Sequence, residues 1–133
     1  MKKMNKDRSQ LIKAAKSVWG EFKLRNEFSA GSVGAAIRTA NGNVYTGICI
    51  DLACGLGFCA EVAAVAEMLK ARETHIVAVV AVSNGRVLGA PCGRCREMMA
   101  QVDIRNLDCA IILGEDREIP LRKLLPEHWL TET

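Results

Sequence analysis

A three-layer α-β-α sandwich around a mixed sheet of about five strands is the α/β architecture predicted by three features of the sequence. Apolar residues recur at helical spacing near residues 7–25, 59–72 and 93–102. Valine- and isoleucine-rich runs fall between and after these segments, at 33–39, 43–50, 75–83 and 108–113. Strands interleaved with helices give a sheet with helical layers on its faces. Asn41-Gly42 separates the first two runs. That dipeptide closes a hairpin, because both residues tolerate positive φ, so the sheet opens antiparallel and is mixed.

Each element has its own signal. Leu11, Ile12, Ala15, Val18, Trp19 and Phe22 form the stripe of an amphipathic helix predicted over 7–25. Lys6, Lys13, Lys16 and Lys23 supply its solvated face. Gly47, Gly55 and Gly57 mark the stretch after the hairpin as irregular. Ala63, Ala66, Glu67 and Lys70 are strong helix formers within the second helix, Cys59 to Arg72. His75 to Ser83 is a nearly unbroken apolar run, as in a strand buried on both faces. Asn84-Gly85 turns the chain into an extended segment, Arg86 to Ala90, which Pro91 punctuates. A third helix follows over Gly93–Val102, then a buried strand over Asp108–Leu113. An edge strand near Glu118–Ile119 and a short helix over Leu121–Leu125 complete the order.

Composition narrows the classes. Half of the 133 residues are hydrophobic and a quarter charged, which suits one soluble domain spanning 1–133. The longest apolar runs, such as Ile76 to Val82, fall far short of the roughly 20 residues of a membrane helix. Lys2-Lys3 leads into an amphipathic pattern rather than an apolar signal segment, so a cytoplasmic protein is expected. A net charge of +3, no concentrated basic stretch and few aromatics argue against a nucleic-acid partner. In a reducing compartment the six cysteines are packed thiols or metal and catalytic thiolates, not staples.

Two segments carry chemistry: Cys59-Ala60-Glu61 opens the second helix, and Pro91-Cys92-Gly93-Arg94-Cys95 opens the third. Helix N-termini carry unpaired N–H groups and partial positive charge, which favour thiolate. Three thiolates brought together across the sheet would hold one Zn²⁺ and leave its fourth position open, the catalytic arrangement. Glu61 then lies beside the metal as a non-ligating carboxylate able to shuttle protons. A Glu with Pro-Cys-x-x-Cys is the zinc-deaminase signature. A structural zinc site would need a fourth ligand from Cys49, Cys54, Cys109, His75 or His128. Thioredoxin-like redox chemistry would leave Cys59-Ala60-Glu61 without a role. Cys49, Cys54 and Cys109 read as packed thiols, and His75 and His128 as residues bordering elements. Arg94 and Arg96 flank Cys95 and are candidates to hydrogen-bond a sulfur and offset its charge.

From Phe28 to Trp129 the chain resembles the cytidine deaminase superfamily, in its small free-nucleoside branch. The resemblance rests on Phe28-Ser29 with Val33-Gly34-Ala35-Ala36, on both cysteine motifs, and on Leu124-Leu125-Pro126. It implies one Zn²⁺ per subunit on Cys59, Cys92 and Cys95, and Glu61 as the catalytic acid/base. It also implies a small-molecule aminopyrimidine nucleoside as partner and a homotetramer with shared active sites. Substrate contacts then fall to Ala60, whose N–H would help fix the base, and to Cys49 and Asp51. The last two stand where cytidine deaminases carry Asn-x-Glu for the sugar hydroxyls. Gly31 replaces an aromatic expected to wall the pocket, and Val62 replaces an arginine that follows Cys-Ala-Glu in some members. The implied reaction is zinc-dependent hydrolytic deamination of a cytosine-type nucleoside. The alternatives are a blasticidin S deaminase-type resistance enzyme and a non-catalytic zinc-binding module, against which the intact Glu61 argues.

Overall fold

The computed structural model describes residues 2–130 of the chain. Helix α1 (Lys2–Val18) ends well before the predicted residue 25. Gly20 breaks it: its N–H donates to the Gly31 carbonyl at 3.0 Å, and the chain enters the sheet as β1 (Phe22–Lys23). Phe22, expected on the apolar stripe, is therefore 52% exposed. Leu11, Ile12 and Ala15 are buried as predicted, whereas Val18 is half-buried at the end of the helix and Trp19 lies beyond it.

Strand β2 (Ser29–Thr39) starts earlier than expected and turns through Asn41-Gly42 into β3 (Val44–Asp51). Gly42 takes the positive φ of 87° that the turn requires. Strand β4 (Ile76–Ser83) pairs antiparallel with the other side of β2, and β6 (Ala110–Gly114) runs parallel to β4. Strand β7 (Arg117–Pro120) forms the antiparallel edge, where an edge strand was expected. Five long strands thus run in the order β3-β2-β4-β6-β7. The two-residue strand β1 joins the start of β2, and β5 (Arg86–Val87) joins the end of β4. The extended segment expected as far as Ala90 is a strand only at those first two residues.

Alternation along the strands divides the core into layers. Ala36, Val80, Val82 and Ile112 face α1, whereas Ile37, Val79 and Ile111 face the helices of the other layer. These are α2 (Ala60–Lys70) and α3 (Gly93–Val102), which contribute Ala64, Val65, Met68 and Met99. Burial of β4 on both faces holds for Val79 to Val82 but not for Val77, which is 37% exposed at the strand's start. Between α3 and β6 a 3-10 turn, Ile104–Asp108, delays the last buried strand by two residues. The Asn106 side chain accounts for the delay. It accepts from the Ile76 N–H at 2.7 Å and donates to the Thr74 and Met99 carbonyls at 3.1 and 3.0 Å, replacing ladder bonds with side-chain bonds. Helix α4 (Leu121–Leu124) closes the described order. No helix among the described residues is long and apolar enough to cross a membrane.

Gly47 was expected in an irregular stretch but lies inside regular β3. Its place there is a matter of contact. A Cβ would come within 2.4 Å of the Ala64 nitrogen and 2.7 Å of the Ala60 carbonyl, so α2 rests backbone-to-backbone on β3. This contact sets the height of the residues at the start of α2. Gly47→Ala is expected to lift the helix and cost about 1–3 kcal/mol of stability. Urea denaturation checks it, and an unchanged midpoint would show that the helix is not seated on this glycine.

Candidate active site

The N-termini of α2 and α3 meet beside the ends of β2, β3 and β4 around a cavity of 430 Å³. Small-molecule sites commonly span about 300–1,000 Å³. Cys59 is the residue before α2 and Cys92 the residue before α3, both with extended backbone. Neither side chain caps its own helix, so both sulfurs are free to point across the gap. Cys95, in the first turn of α3, is fully buried. The Sγ atoms of Cys59 and Cys92 are 3.5 Å apart, as are those of Cys92 and Cys95. All three lie within 4.8 Å of one another.

These distances suit one metal ion. A tetrahedral site with Zn–S bonds of about 2.3 Å has sulfurs about 3.8 Å apart, whereas a disulfide needs about 2.05 Å. All six cysteines are free thiols. Among the described residues the metal-ligating group consists of these three sulfurs alone. Cys49, Cys54, Cys109, His75 and His128 stay outside it, so no side chain completes a closed structural site. The donor set therefore fits Zn²⁺ with an open position.

Burial and mutual hydrogen bonding set the electrostatics of the cluster. Burial, then the Cys92 thiol, raises the Cys59 pKa, and burial raises that of Cys95 far more. Burial also pushes Cys92 upward, but hydrogen bonds from the Cys95 backbone and from both neighbouring thiols outweigh it and lower its pKa. Glu61, in the first turn of α2, is 7% exposed and lines the same cavity. Burial raises its pKa against the opposing pull of its own backbone N–H. Ala60, Cys49 and Asp51 line the cavity too.

The remaining candidates separate. Cys109 is a packed thiol, pushed by burial to a pKa of about 12. Cys54 departs from that expectation, being exposed in the β3–α2 connection at a positive φ of 60°. His75 borders β4, its carbonyl accepting from the Ala40 N–H. His128 is half-buried near the end of the described chain, and its Nδ1 has no hydrogen-bond partner. Among the described residues neither Arg94 nor Arg96 hydrogen-bonds a sulfur. Arg96 is engaged elsewhere: Nε donates to the Pro91 carbonyl at 2.7 Å and Nη1 to the Leu124 carbonyl at 3.0 Å. It ties the cysteine turn to α4. Arg94 is exposed on the cavity rim.

Gly31 does not leave a missing wall. It is buried and off the cavity, and a Cβ there would lie 2.2 Å from the Gly20 carbonyl. Ser32, which sequence reasoning passed over, lines the cavity instead. Its Oγ lies 3.2 Å from Cys49 Sγ and 3.3 Å from Asp51 Oδ2. The only hint in the sequence was the glycine preceding it.

Comparison with known proteins agrees with this geometry. The family model for the cytidine and deoxycytidylate deaminase zinc-binding region matches residues 5–111. A cytidine deaminase from Halalkalibacterium halodurans is 30% identical over 129 residues, covering 95% of this chain and 96% of that one. Among solved structures, a point mutant of the Mycobacterium tuberculosis cytidine deaminase aligns with a TM-score of 0.71 and 30% identity, covering 93% of this chain and 92% of that one. The cytidine deaminase of Burkholderia pseudomallei aligns with a TM-score of 0.72 and 28% identity, covering 91% and 98%. With the fold, the three-sulfur cluster and the family match in accord, the chain belongs to the zinc-binding cytidine and deoxycytidylate deaminase family.

Proposed function

We propose that this chain hydrolyses the exocyclic amine of a cytosine-type nucleoside, consuming water and releasing ammonia and the uridine-type product. The observation that carries the reading is a buried carboxyl group, Glu61, lining one cavity with Cys59 and Cys92, whose sulfurs converge with that of buried Cys95. Cys59, Cys92 and Cys95 would hold Zn²⁺, which when bound acidifies water enough to supply a nucleophile at neutral pH. Glu61 takes the proton of the attacking water and delivers it to the ring nitrogen beside the amine. It then takes the proton of the newly added hydroxyl and passes it to the amine, so that the carbonyl forms as the C–N bond breaks and ammonia leaves neutral. The Ala60 N–H, in the first turn of α2 where helical partners are missing, would donate to the base. Asp51 would accept from a sugar hydroxyl, while the Cys49 thiol is only a weak donor and a weak acceptor.

Charge favours a nucleoside over its phosphate. The cavity brings together Glu61, Asp51 and the cysteine cluster, with Arg94 the cation on its lining. Exposed Leu52 and Leu56 on the connection beside the cavity form an apolar edge that a second copy would cover, which supports the homotetramer. The test is ammonia release by the zinc-loaded protein from cytosine, cytidine, deoxycytidine, deoxycytidylate and blasticidin S. Both nucleosides are expected to react, and deoxycytidylate at least about tenfold more slowly, a difference of about 1.4 kcal/mol. Release from none of the five would overturn the reading. Blasticidin S outpacing both nucleosides would move it to the resistance-enzyme branch.

A further inference from the structure

We infer that Ser32 is a specificity-determining residue, carried into the cavity by a bulge at Gly31, and that with Asp51 it receives hydrogen-bond donors of the substrate's sugar. The inference rests on the nucleoside reading above and adds to it the residue that replaces a missing amide.

The backbone comes first. Pairing of β2 with β3 is regular at Ala30↔Ile50 and resumes at Gly34↔Ile48, so β2 spends four residues where β3 spends two. Gly31 opens this bulge at a φ of 84°, and its neighbour Gly20 leaves no room for a side chain. Only glycine meets both conditions. The bulge re-aims the next residue. Its carbonyl is then clamped from two sides, by Trp19 Nε1 at 2.9 Å and Ser83 Oγ at 2.7 Å. Ser32 is thus held on the cavity wall by the residue that follows α1 and by the end of β4 together, which is the kind of rigid support a recognition group needs.

The hydrogen-bond directions define what the subsite can take. The Val33 N–H donates to Cys49 Sγ at 3.3 Å, and the Ser32 hydroxyl donates to Asp51 Oδ2 at 3.3 Å. With the hydroxyl proton on the carboxylate, Ser32 Oγ accepts from the Cys49 thiol across their 3.2 Å contact, in which either atom can donate. The thiol proton has a second outlet in Asp51 Oδ2, at 3.8 Å. In that arrangement the hydroxyl and thiol protons both run toward Asp51. What faces the cavity is an oxygen lone pair on Ser32 beside a carboxylate, a surface that accepts and does not donate. A hydroxyl pair satisfies it. A group that only accepts, such as a phosphate oxygen, meets lone pairs and negative charge.

Cytidine and dideoxycytidine, which lacks both ring hydroxyls, separate this role from a structural one. The wild type is expected to favour cytidine in kcat/KM. Ser32→Ala should raise KM for cytidine roughly tenfold, the worth of one hydrogen bond to a charged network, with kcat changed less than about twofold. The same variant should leave KM for dideoxycytidine within about twofold, and Ser32→Thr, which restores a hydroxyl, should recover most of the cytidine KM. Equal changes in KM for the two nucleosides, or no change for either, would overturn the role of Ser32 while leaving the deaminase reading intact. A zinc-loaded wild type that releases ammonia from neither would overturn both.

Discussion

Glu61→Gln is expected to reduce kcat by about 10³-fold or more while leaving zinc content and fold unchanged. General acid/base catalysis contributes typically about 10²–10⁴-fold, and in the proposed reaction one carboxylate serves two successive proton transfers. The metal does not depend on it, because the ligating group consists of three sulfurs and no carboxylate. Nor does the fold. Glu61 is 7% exposed, and burial is what raises its pKa, so a neutral isostere removes a desolvated acid and should raise the melting temperature slightly. A loss of activity with unchanged or increased stability is the signature of a group kept for chemistry. Steady-state kinetics, zinc analysis and a thermal melt on one preparation check it. A variant retaining more than about a tenth of the wild-type kcat with zinc in place would assign the proton shuttle to another residue.

Cys95→Ala is expected to have the largest effect on stability. Cys95 is fully buried in the first turn of α3, and its sulfur is one of three donors from two different helix ends. Without it, a metal that pins α2 to α3 loses a ligand, and the stability linked to binding goes with it. At free zinc 1,000 times the dissociation constant, that linkage is worth about 4 kcal/mol, or roughly 10–20 °C in Tm. Cys109→Ala is the matching control. Cys109 is equally buried, at 2% exposure, but outside the cluster, so it should cost packing and keep the metal. The check is differential scanning calorimetry with zinc analysis, and with a chelator added to the wild type. One zinc per Cys95→Ala chain, or a wild-type Tm indifferent to chelator, would contradict the assignment.

The parts of the molecule that sequence could reveal are those governed by local period and local motif. Helices α2 and α3 and the strands at their flanks follow from spacing. The cysteines that precede each helix are placed by the helix itself, so the metal cluster was legible before any coordinates. Contacts made at long range were not. Helix α1 ends at Val18 because Gly20 bonds to Gly31 across the sheet, and nothing local announces that partner. Arg96 resembles a ligand-shell cation in sequence, yet its guanidinium is used by the Pro91 and Leu124 carbonyls. Gly47 suggested irregularity and serves instead as the seat of a helix. Ser32 was invisible for the same reason: a bulge two residues out of register decides which way it faces.

Hydrolysis itself is most directly tested by incubating the zinc-loaded protein with cytidine in heavy-oxygen water and analysing the product by mass spectrometry. The account predicts one ammonia released per nucleoside converted, with one heavy oxygen fixed at the ring carbon that carried the amine. Uridine-type product without the label, or labelled product without equivalent ammonia, would contradict attack by water at that carbon.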